Sequence, residues 1–529
     1  MQTVQGCGGA VTAPHHLASA AGLEVLREGG TAAEAAVAVA ATLAVVYPHM
    51  NSIGGDSFWL IAEPGRAPVA IDACGRAALG ATLNLYAGCA SVPWRGPLAA
   101  NTVNGTLSGW ATALRVGGGS LSLERLLTPA IDYAERGVAV APSLSETVAA
   151  KRNELAGQPG FAQVFLPGGQ PPPSGSRLVQ PALAATLRRL ATAGLDDAYR
   201  GGLAGAIAAD LAAAGSPVSL ADLQAHEPTL AAPLTAAIGA GRLYNTPPPT
   251  QGLASLLILS LFDRLGCAQA EGFAHLHGLI EATKRAFQIR DRHVGDPALM
   301  TVDAQSLLDD ESLKSRLARD IDPQRALAWP APPSDGDTVW FGVIDAHGRA
   351  VSAIQSTYFE FGSGLVLPQT GIIWQNRGAS FRLAPDGWNA LRPRRKPFHT
   401  LNPAMASLND GRLMVYGTMG GEGQPQTQAA VFSRYALFGQ DLQAAITAPR
   451  WLLGRTWGED STSLKLEDRF DPALVAALVE AGHAVEIVEP VTSAMGHAGA
   501  LARHADGRLE GASDPRSDGA ALALGAPGV

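Results

Sequence analysis

Charged residues, aromatics and cysteine are all scarce in this 529-residue chain, at 16%, 6% and four residues respectively. Cys7, Cys74, Cys89 and Cys267 form no C-x-x-C pair and no zinc-like spacing. That excludes a recognisable disulfide framework and fits a reducing compartment, where a free cysteine is usually a small buried hydrophobe. Positive charge is short as well: 39 Lys and Arg against 47 Asp and Glu leave a net charge of −8. The one basic run, Arg392, Arg394, Arg395 and Lys396, is too small to make nucleic acid a partner. No apolar stretch reaches the ~20 residues that a spanning helix needs. The most hydrophobic one, Ala35 to Val46, is mostly alanine and predicts a buried helix instead. The N-terminus lacks a charged region followed by an apolar one, so no secretory signal is read there. These absences predict a soluble, cytoplasmic protein with neither a nucleic-acid nor a membrane partner. No G-x-S-x-G elbow and no G-x-x-x-x-G-K-[ST] phosphate loop is present. His15-His16 and His275-x-His277 show no helical i,i+4 spacing with a carboxylate, so neither a metal nor an organic cofactor is expected.

What is present is apolar material, 47% of the chain, enough for a large core. Length alone suggests roughly three or four domains. The first two-thirds is largely helical in pattern. Leu17 to Arg27 stops at Gly29-Gly30, a normal C-terminal signal, and Thr31 with Glu34 makes a capping box for the next helix. Further helical runs cover Leu121 to Gly137, Gln180 to Ala193, Gly201 to Ala214, Ala254 to Leu265 and His275 to Arg290. The character changes at residues 329–337, WPAPPSDGD, a polar and proline-rich segment suited to an exposed loop. Immediately behind it, Val339 to Ile344 and Ala350 to Ile354 are β-branched and aromatic runs around Asp345-Ala346-His347-Gly348, the pattern of a hairpin. Strands are also expected over Gly371 to Trp374 and Leu413 to Gly417.

Thr338 heads that hairpin. A threonine hydroxyl is a weak nucleophile until a neighbouring base takes its proton, and a free α-amine, with a pKa of about 8, can be that base. The amine exists only if the bond between Asp337 and Thr338 is cut, and the hydroxyl itself can attack the Asp337 carbonyl. One residue can thus perform both maturation and turnover. Taken alone, a threonine in a strand is ordinary.

Five segments change that weighting. AVTAPHHLASAAGLEVLREGGTAAEAAVAVAATLAVVYPHMNSIGGDSFWL near the start, YNTPPPTQG (Tyr244 to Gly252), ATKRAFQIRDRHVGDP (Ala282 to Pro297), TVWFGVIDAHGRAVSAIQSTYFEFGSGLV and GASDPRSDGAA (Gly511 to Ala521) run the whole chain in order. Together they resemble the gamma-glutamyltransferase family of N-terminal nucleophile hydrolases. The resemblance implies an α/β (α+β) fold of four layers, an αββα sandwich, built from a large chain 1–337 and a small chain 338–529 cut from one precursor. These would form a heterodimer, itself able to pair again as a dimer of heterodimers. It places the nucleophile on Thr338 and the assisting hydroxyl on Ser356. The glycines whose N–H groups form the oxyanion hole fall on Gly420 and Gly421, in YGTMGGEGQPQ. Glycine suits that role because it lets backbone donors approach a developing oxyanion closely.

The residues that read a glutamyl group depart from the family. The arginine expected to hold the α-carboxylate falls on Cys74 in DACGRAA, with Arg76 two residues displaced. The aspartate for the α-amino group falls on Ser380, and a preceding family glutamine falls on Arg377, in WQNRGASF. A Ser-Ser pair becomes His399-Thr400, in KPFHTLNPA. Losing the aspartate removes an ammonium partner, and gaining an arginine adds a carboxylate fork. The expected small-molecule substrate therefore carries a carboxylate and an amide but no α-amino group. YPHMNSIGGDSFWL, DACG and FHTLNPA together resemble the branch of the family that hydrolyses oxamate, a very small amide-carboxylate of purine breakdown. A glutathione-type glutamyl enzyme, an acylase of larger amides and a structural role for Arg377 or His399 remain the alternatives.

Overall fold

The computed structural model describes residues 1–329, 337–454 and 461–525. The loop expected just before Thr338 falls at 330–336, outside the described residues.

Two seven-stranded antiparallel sheets form the centre. One runs in the order Ala520–Ala523, Gly9–Ala13, Asp337–Asp345, Ala350–Tyr358, Asp56–Ala62, Val69–Ala73, Thr229–Ala231. The other runs Val4–Gly6, Leu509–Ser513, Ala498–Arg503, Leu413–Thr418, Ala404–Leu408, Gly241–Asn245, Leu234–Ile238. Their inner faces meet through a cluster of small and branched side chains from both, including Ala10, Leu60, Ile344, Met405, Val415 and Leu501, all fully buried. Helices cover each outer face. His16–Arg27, Ala32–Val46, Thr106–Gly117, Leu123–Arg136 and Pro181–Ala193 share one core with the first sheet, and Gly252–Leu265, Phe273–His293 and Gly423–Phe432 share another with the second. The result is the four-layer αββα sandwich.

Both halves of the expected large and small chains enter both sheets, so neither half has a core of its own. The expected helices form with boundaries shifted by a few residues, and the expected hairpin is Asp337–Asp345 paired with Ala350–Tyr358. Gly371 to Trp374 does not form a strand. It makes only isolated bridges, Val366 to Ile373 and Gly54 to Trp374, because Gly371 turns the chain at φ 69°. Among the described residues no helix is long and apolar enough to cross a membrane.

The helix Ala32–Val46 is buried all round, which its alanine-rich sequence permits by letting neighbouring layers approach closely. Its start is tied down at three points. Thr31 Oγ1 accepts from Glu34 N–H, Glu34 Oε2 accepts from Thr31 N–H at 2.7 Å, and Glu34 Oε1 accepts from Leu121 N–H at 2.7 Å. Ala32 N–H donates to Asp345 Oδ2 at 3.0 Å, which links this helix to the far end of the Thr338 strand. Glu34→Ala leaves the buried Thr31 N–H and the half-buried Leu121 N–H without their partner, a cost of about 1–3 kcal/mol. The expected result is a clear fall in thermal midpoint by calorimetry with self-cleavage retained; an unchanged midpoint removes Glu34 from the list of anchors.

Candidate active site

Thr338 is the second residue of its strand and is 1% exposed. Its neighbours are set by an irregularity in the ladder. Val339 pairs with Gln355, but Asp337 pairs with Tyr358, so Thr338 alone faces both Ser356 and Thr357. Such a bulge re-aims side chains at the end of a sheet. Side chains alternate along a strand, so Thr338 and Ser356 lie on the face opposite to Val339 and Gln355. Ser356 pairs across the next ladder with Asp56, which puts three polar side chains in a row over three adjacent strands. The chain enters Asp56 through Gly55, where a Cβ would lie 2.1 Å from the Ser356 carbonyl oxygen. Only glycine lets that loop close onto the hairpin.

Ser356 Oγ accepts from Tyr358 N–H at 2.8 Å. Tyr358 itself sits at φ 85°, a strained position for a side chain of that size. The strain presents its ring to Arg377, whose guanidinium carbon lies 3.7 Å from the ring centroid. Arg377 is 1% exposed, donates from Nη2 to the Phe398 carbonyl at 2.6 Å and from Nη1 to Thr400 Oγ1 at 3.3 Å. Both acceptors are neutral, and among the described residues no carboxylate forms an ion pair with Arg377. Burial pulls the guanidinium below its ordinary value. Asp56 and Glu422 act on that charge without forming an ion pair with it.

His399 lies in the same wall. Its N–H donates to the Pro249 carbonyl at 2.8 Å and its carbonyl accepts from Gln251 N–H at 3.0 Å, so the triple-proline loop holds it in place. Its Nε2 is 3.2 Å from Asp56 Oδ2, and its ring meets Phe58 edge-on at 4.8 Å. Burial, then the charges of Arg377 and Lys396, hold the imidazole well below its ordinary value, so the ring is neutral.

Gly420 and Gly421 join the strand Leu413–Thr418 to the helix Gly423–Phe432, at φ 116° and 51°. Such angles favour glycine. The Gly420 carbonyl accepts from Gly423 N–H, so across the same trans peptide the Gly421 N–H points away from the helix. The Gly421 carbonyl accepts from Gln251 Nε2 at 2.8 Å and the Thr400 carbonyl accepts from the same nitrogen at 2.7 Å. Gln251 Oε1 is held by Arg290 Nη1 at 2.9 Å, and Arg290 Nη2 also reaches Glu422 at 3.1 Å. This Arg290–Gln251 brace joins the glycine turn to the Arg377 wall. A buried hydroxyl at the start of one strand, a glycine turn behind another and a buried cation can support acyl transfer to a carboxylate-bearing amide.

Other sequence candidates lie elsewhere. Ser380 is half-buried, and its carbonyl and hydroxyl both take Asn389 Nδ2, at 2.7 and 3.5 Å. Arg76 is half-exposed, donates to the Arg394 carbonyl at 3.0 Å and lines a cavity of about 590 Å³ with Lys396 and Pro248. Cys74 is buried, with its thiol pushed up by burial and by Asp72; Cys7 and Cys89 are exposed, so the small-buried-hydrophobe reading holds for Cys74 and not for them. His277 and Glu281 do share one helix face at i,i+4, a spacing the sequence reading overlooked, and His483 joins them. There Glu281 accepts from Lys284 Nζ at 2.6 Å and His277 Nδ1 faces His483 Nε2 at 2.9 Å. Asp56, Gln251, Gln375, Arg290 and Tyr358 were missed as well. None stands in a recognisable spacing with its partner, and Asp56 would have been found only by asking what a carboxylate does after Gly54-Gly55 in an apolar run.

A profile described as gamma-glutamyltranspeptidase matches residues 18–524. The chain is 57% identical over 517 residues to the oxamate amidohydrolase proenzyme of Klebsiella pneumoniae subsp. pneumoniae, covering 97% of this chain and 98% of that protein. It is 41% identical over 519 residues to a glutathione hydrolase-like proenzyme of Bacillus subtilis, covering 97% and 98%. The crystal structure of cephalosporin acylase from Bacillus halodurans superimposes with a TM-score of 0.92 at 33% identity, covering 99% of this chain and 97% of that one. Layer order, the hairpin headed by Thr338 and matches that run nearly end to end agree on one assignment: this chain belongs to the gamma-glutamyltranspeptidase family.

Proposed function

We propose that the chain is a self-processing amidohydrolase that converts oxamate to oxalate and ammonia. The cut falls between Asp337 and Thr338 and leaves a large chain, 1–337, and a small chain, 338–529, as one two-chain enzyme. The observation that carries the substrate reading is Arg377: a buried cation whose direct hydrogen-bond partners among the described residues are neutral, standing beside the Thr338 strand. Asp56 and Glu422 act on this charge without forming an ion pair with it, so the buried cation is under-compensated, and a substrate carboxylate is the group that relieves it. The 57% identity to an oxamate amidohydrolase supports the same substrate.

In this reading the Thr338 α-amine takes the hydroxyl proton while Oγ1 bonds to the amide carbon. The Gly420 and Gly421 N–H groups hold the oxyanion, and Ser356 assists the hydroxyl. The proton passes to the amide nitrogen, the C–N bond breaks and ammonia leaves an ester on Thr338. Water then attacks that ester, gives its proton to the amine and releases the diacid. Arg377 holds the carboxylate, and His399 and Thr400 complete the wall. No step uses a metal or an organic cofactor.

Steady-state rates on oxamate and on a γ-glutamyl anilide test this directly. The expected result is kcat/KM for oxamate at least about 100-fold the higher, the size of discrimination that charged and hydrogen-bonded contacts give. Turnover of the anilide alone overturns the substrate reading in favour of a glutathione-type enzyme.

A further inference from the structure

Asp56 takes no part in the bond-making steps, yet it is the most heavily hydrogen-bonded carboxylate of the site. It is fully buried; its Oδ1 accepts from Gly75 N–H at 2.9 Å and from Gln375 Nε2 at 3.1 Å. Gln375 Nε2 also donates to the Val103 carbonyl at 2.7 Å, which fixes that end of the amide as the donor. With Oδ1 occupied twice, Oδ2 is left for His399 Nε2 at 3.2 Å. An ionised carboxylate only accepts, so Nε2 carries the hydrogen and Nδ1 keeps a lone pair. His399 Nδ1 is buried and has no hydrogen-bond partner among the described residues. The same is true of Arg377 Nε and Thr338 Oγ1. A guanidinium donor, a hydroxyl and a neutral acceptor, each buried and without a hydrogen-bond partner among the described residues, thus belong to the same part of the fold.

We propose that Asp56 locks His399 in the Nε2–H tautomer and so makes Nδ1 the acceptor for the N–H₂ of an unsubstituted substrate carboxamide. This rests on the reading of the enzyme as an amidohydrolase of a small amide-carboxylate. Asp56 is a positioning residue, acting through His399, and the pair selects a primary amide because an ester oxygen or a tertiary amide offers that lone pair no hydrogen.

The arrangement carries its own pH dependence. Burial pushes the Asp56 carboxyl up to about 7, against the pull of Gly75, Gln375 and Arg377 and with that of Asp72. His399, facing Arg377, Lys396 and Asp56, stays neutral. When Asp56 takes a proton, Oδ2 becomes the donor to Nε2, and His399 must move its hydrogen to Nδ1. The acceptor is then lost, so kcat/KM for the amide rises with pH through about 7.

Asp56→Asn is the test. Its Oδ1 must still meet Gly75 N–H and Gln375 Nε2, which turns its Nδ2 toward His399 and imposes the reversed tautomer at every pH. The expected outcome is normal self-cleavage by intact mass, kcat/KM for oxamate lowered at least about 100-fold, and the rise near pH 7 abolished. In ¹⁵N-histidine-labelled wild type, assigned with His399→Gln, the His399 hydrogen is expected on Nε2. A cleaved Asp56→Asn enzyme within about threefold of wild type overturns the proposal. So does a wild-type spectrum with the hydrogen on Nδ1, which decides the matter even if the variant fails to fold. Wild type inactive on oxamate but active on a glutamyl anilide sinks the functional reading instead, whatever the tautomer.

Discussion

Thr338→Ala is expected to purify as one intact 54.5 kDa chain with no measurable amidase activity. Both effects have a single cause. In the proposed mechanism the hydroxyl that attacks the Asp337 carbonyl during maturation is the one that attacks the amide in turnover, and alanine has neither the oxygen nor, without the cut, the free amine. Loss of a covalent nucleophile costs on the order of 10⁴-fold or more in kcat. Thr338→Ser keeps the oxygen and is expected to cleave, more slowly where the missing methyl leaves the hydroxyl free to rotate. Intact-mass spectrometry reads the cut and steady-state kinetics the activity. A fully active, uncleaved Thr338→Ala protein would falsify the N-terminal nucleophile mechanism outright. The fold makes this a clean experiment, because Thr338 is buried at the end of a strand whose ladder continues from Val339 without it.

Arg377→Ala is expected to leave the cut intact and to lower kcat/KM for oxamate by about 2–5 kcal/mol, or roughly 30- to 5,000-fold. The guanidinium is held from three sides, by the Phe398 carbonyl, Thr400 Oγ1 and the Tyr358 ring, and these contacts aim it without neutralising it. Arg377→Lys does not restore the rate, because an ammonium neither stacks in the same way nor presents a two-pronged fork. Cleaved Arg377→Ala enzyme with unchanged kcat/KM excludes Arg377 from carboxylate binding.

The chain shows why some of this was readable in advance. The helices from His16 to Arg27 and from Pro181 to Ala193 carry one apolar face, and their ends are punctuated by glycine or proline, so local physics names them. Thr31 and Glu34 write their capping box within four residues. The hairpin after residue 337 is equally local, with its turn at Asp345 to Gly348. The strands Gly9–Ala13 and Asp56–Ala62 were not legible, because both are buried along their whole length between a helix layer and the opposing sheet. A strand covered on both faces loses the alternation that betrays it.

The site divides along the same line. Sequence by itself determined the hairpin headed by Thr338 and the glycine turn, and from it come the proposed nucleophile, the proposed cut and the proposed replacement of a glutamyl-reading set by Arg377, His399 and Thr400, because each lies in a contiguous motif. Only the tertiary structure decided that the hydrogen bonds of Arg377 among the described residues go to neutral acceptors, that Ser380 turns toward Asn389, and that Asp56 holds His399 from a position 343 residues away. The reason is physical. A nucleophile is a residue and can be spelled, whereas a charge state is a property of everything packed around it.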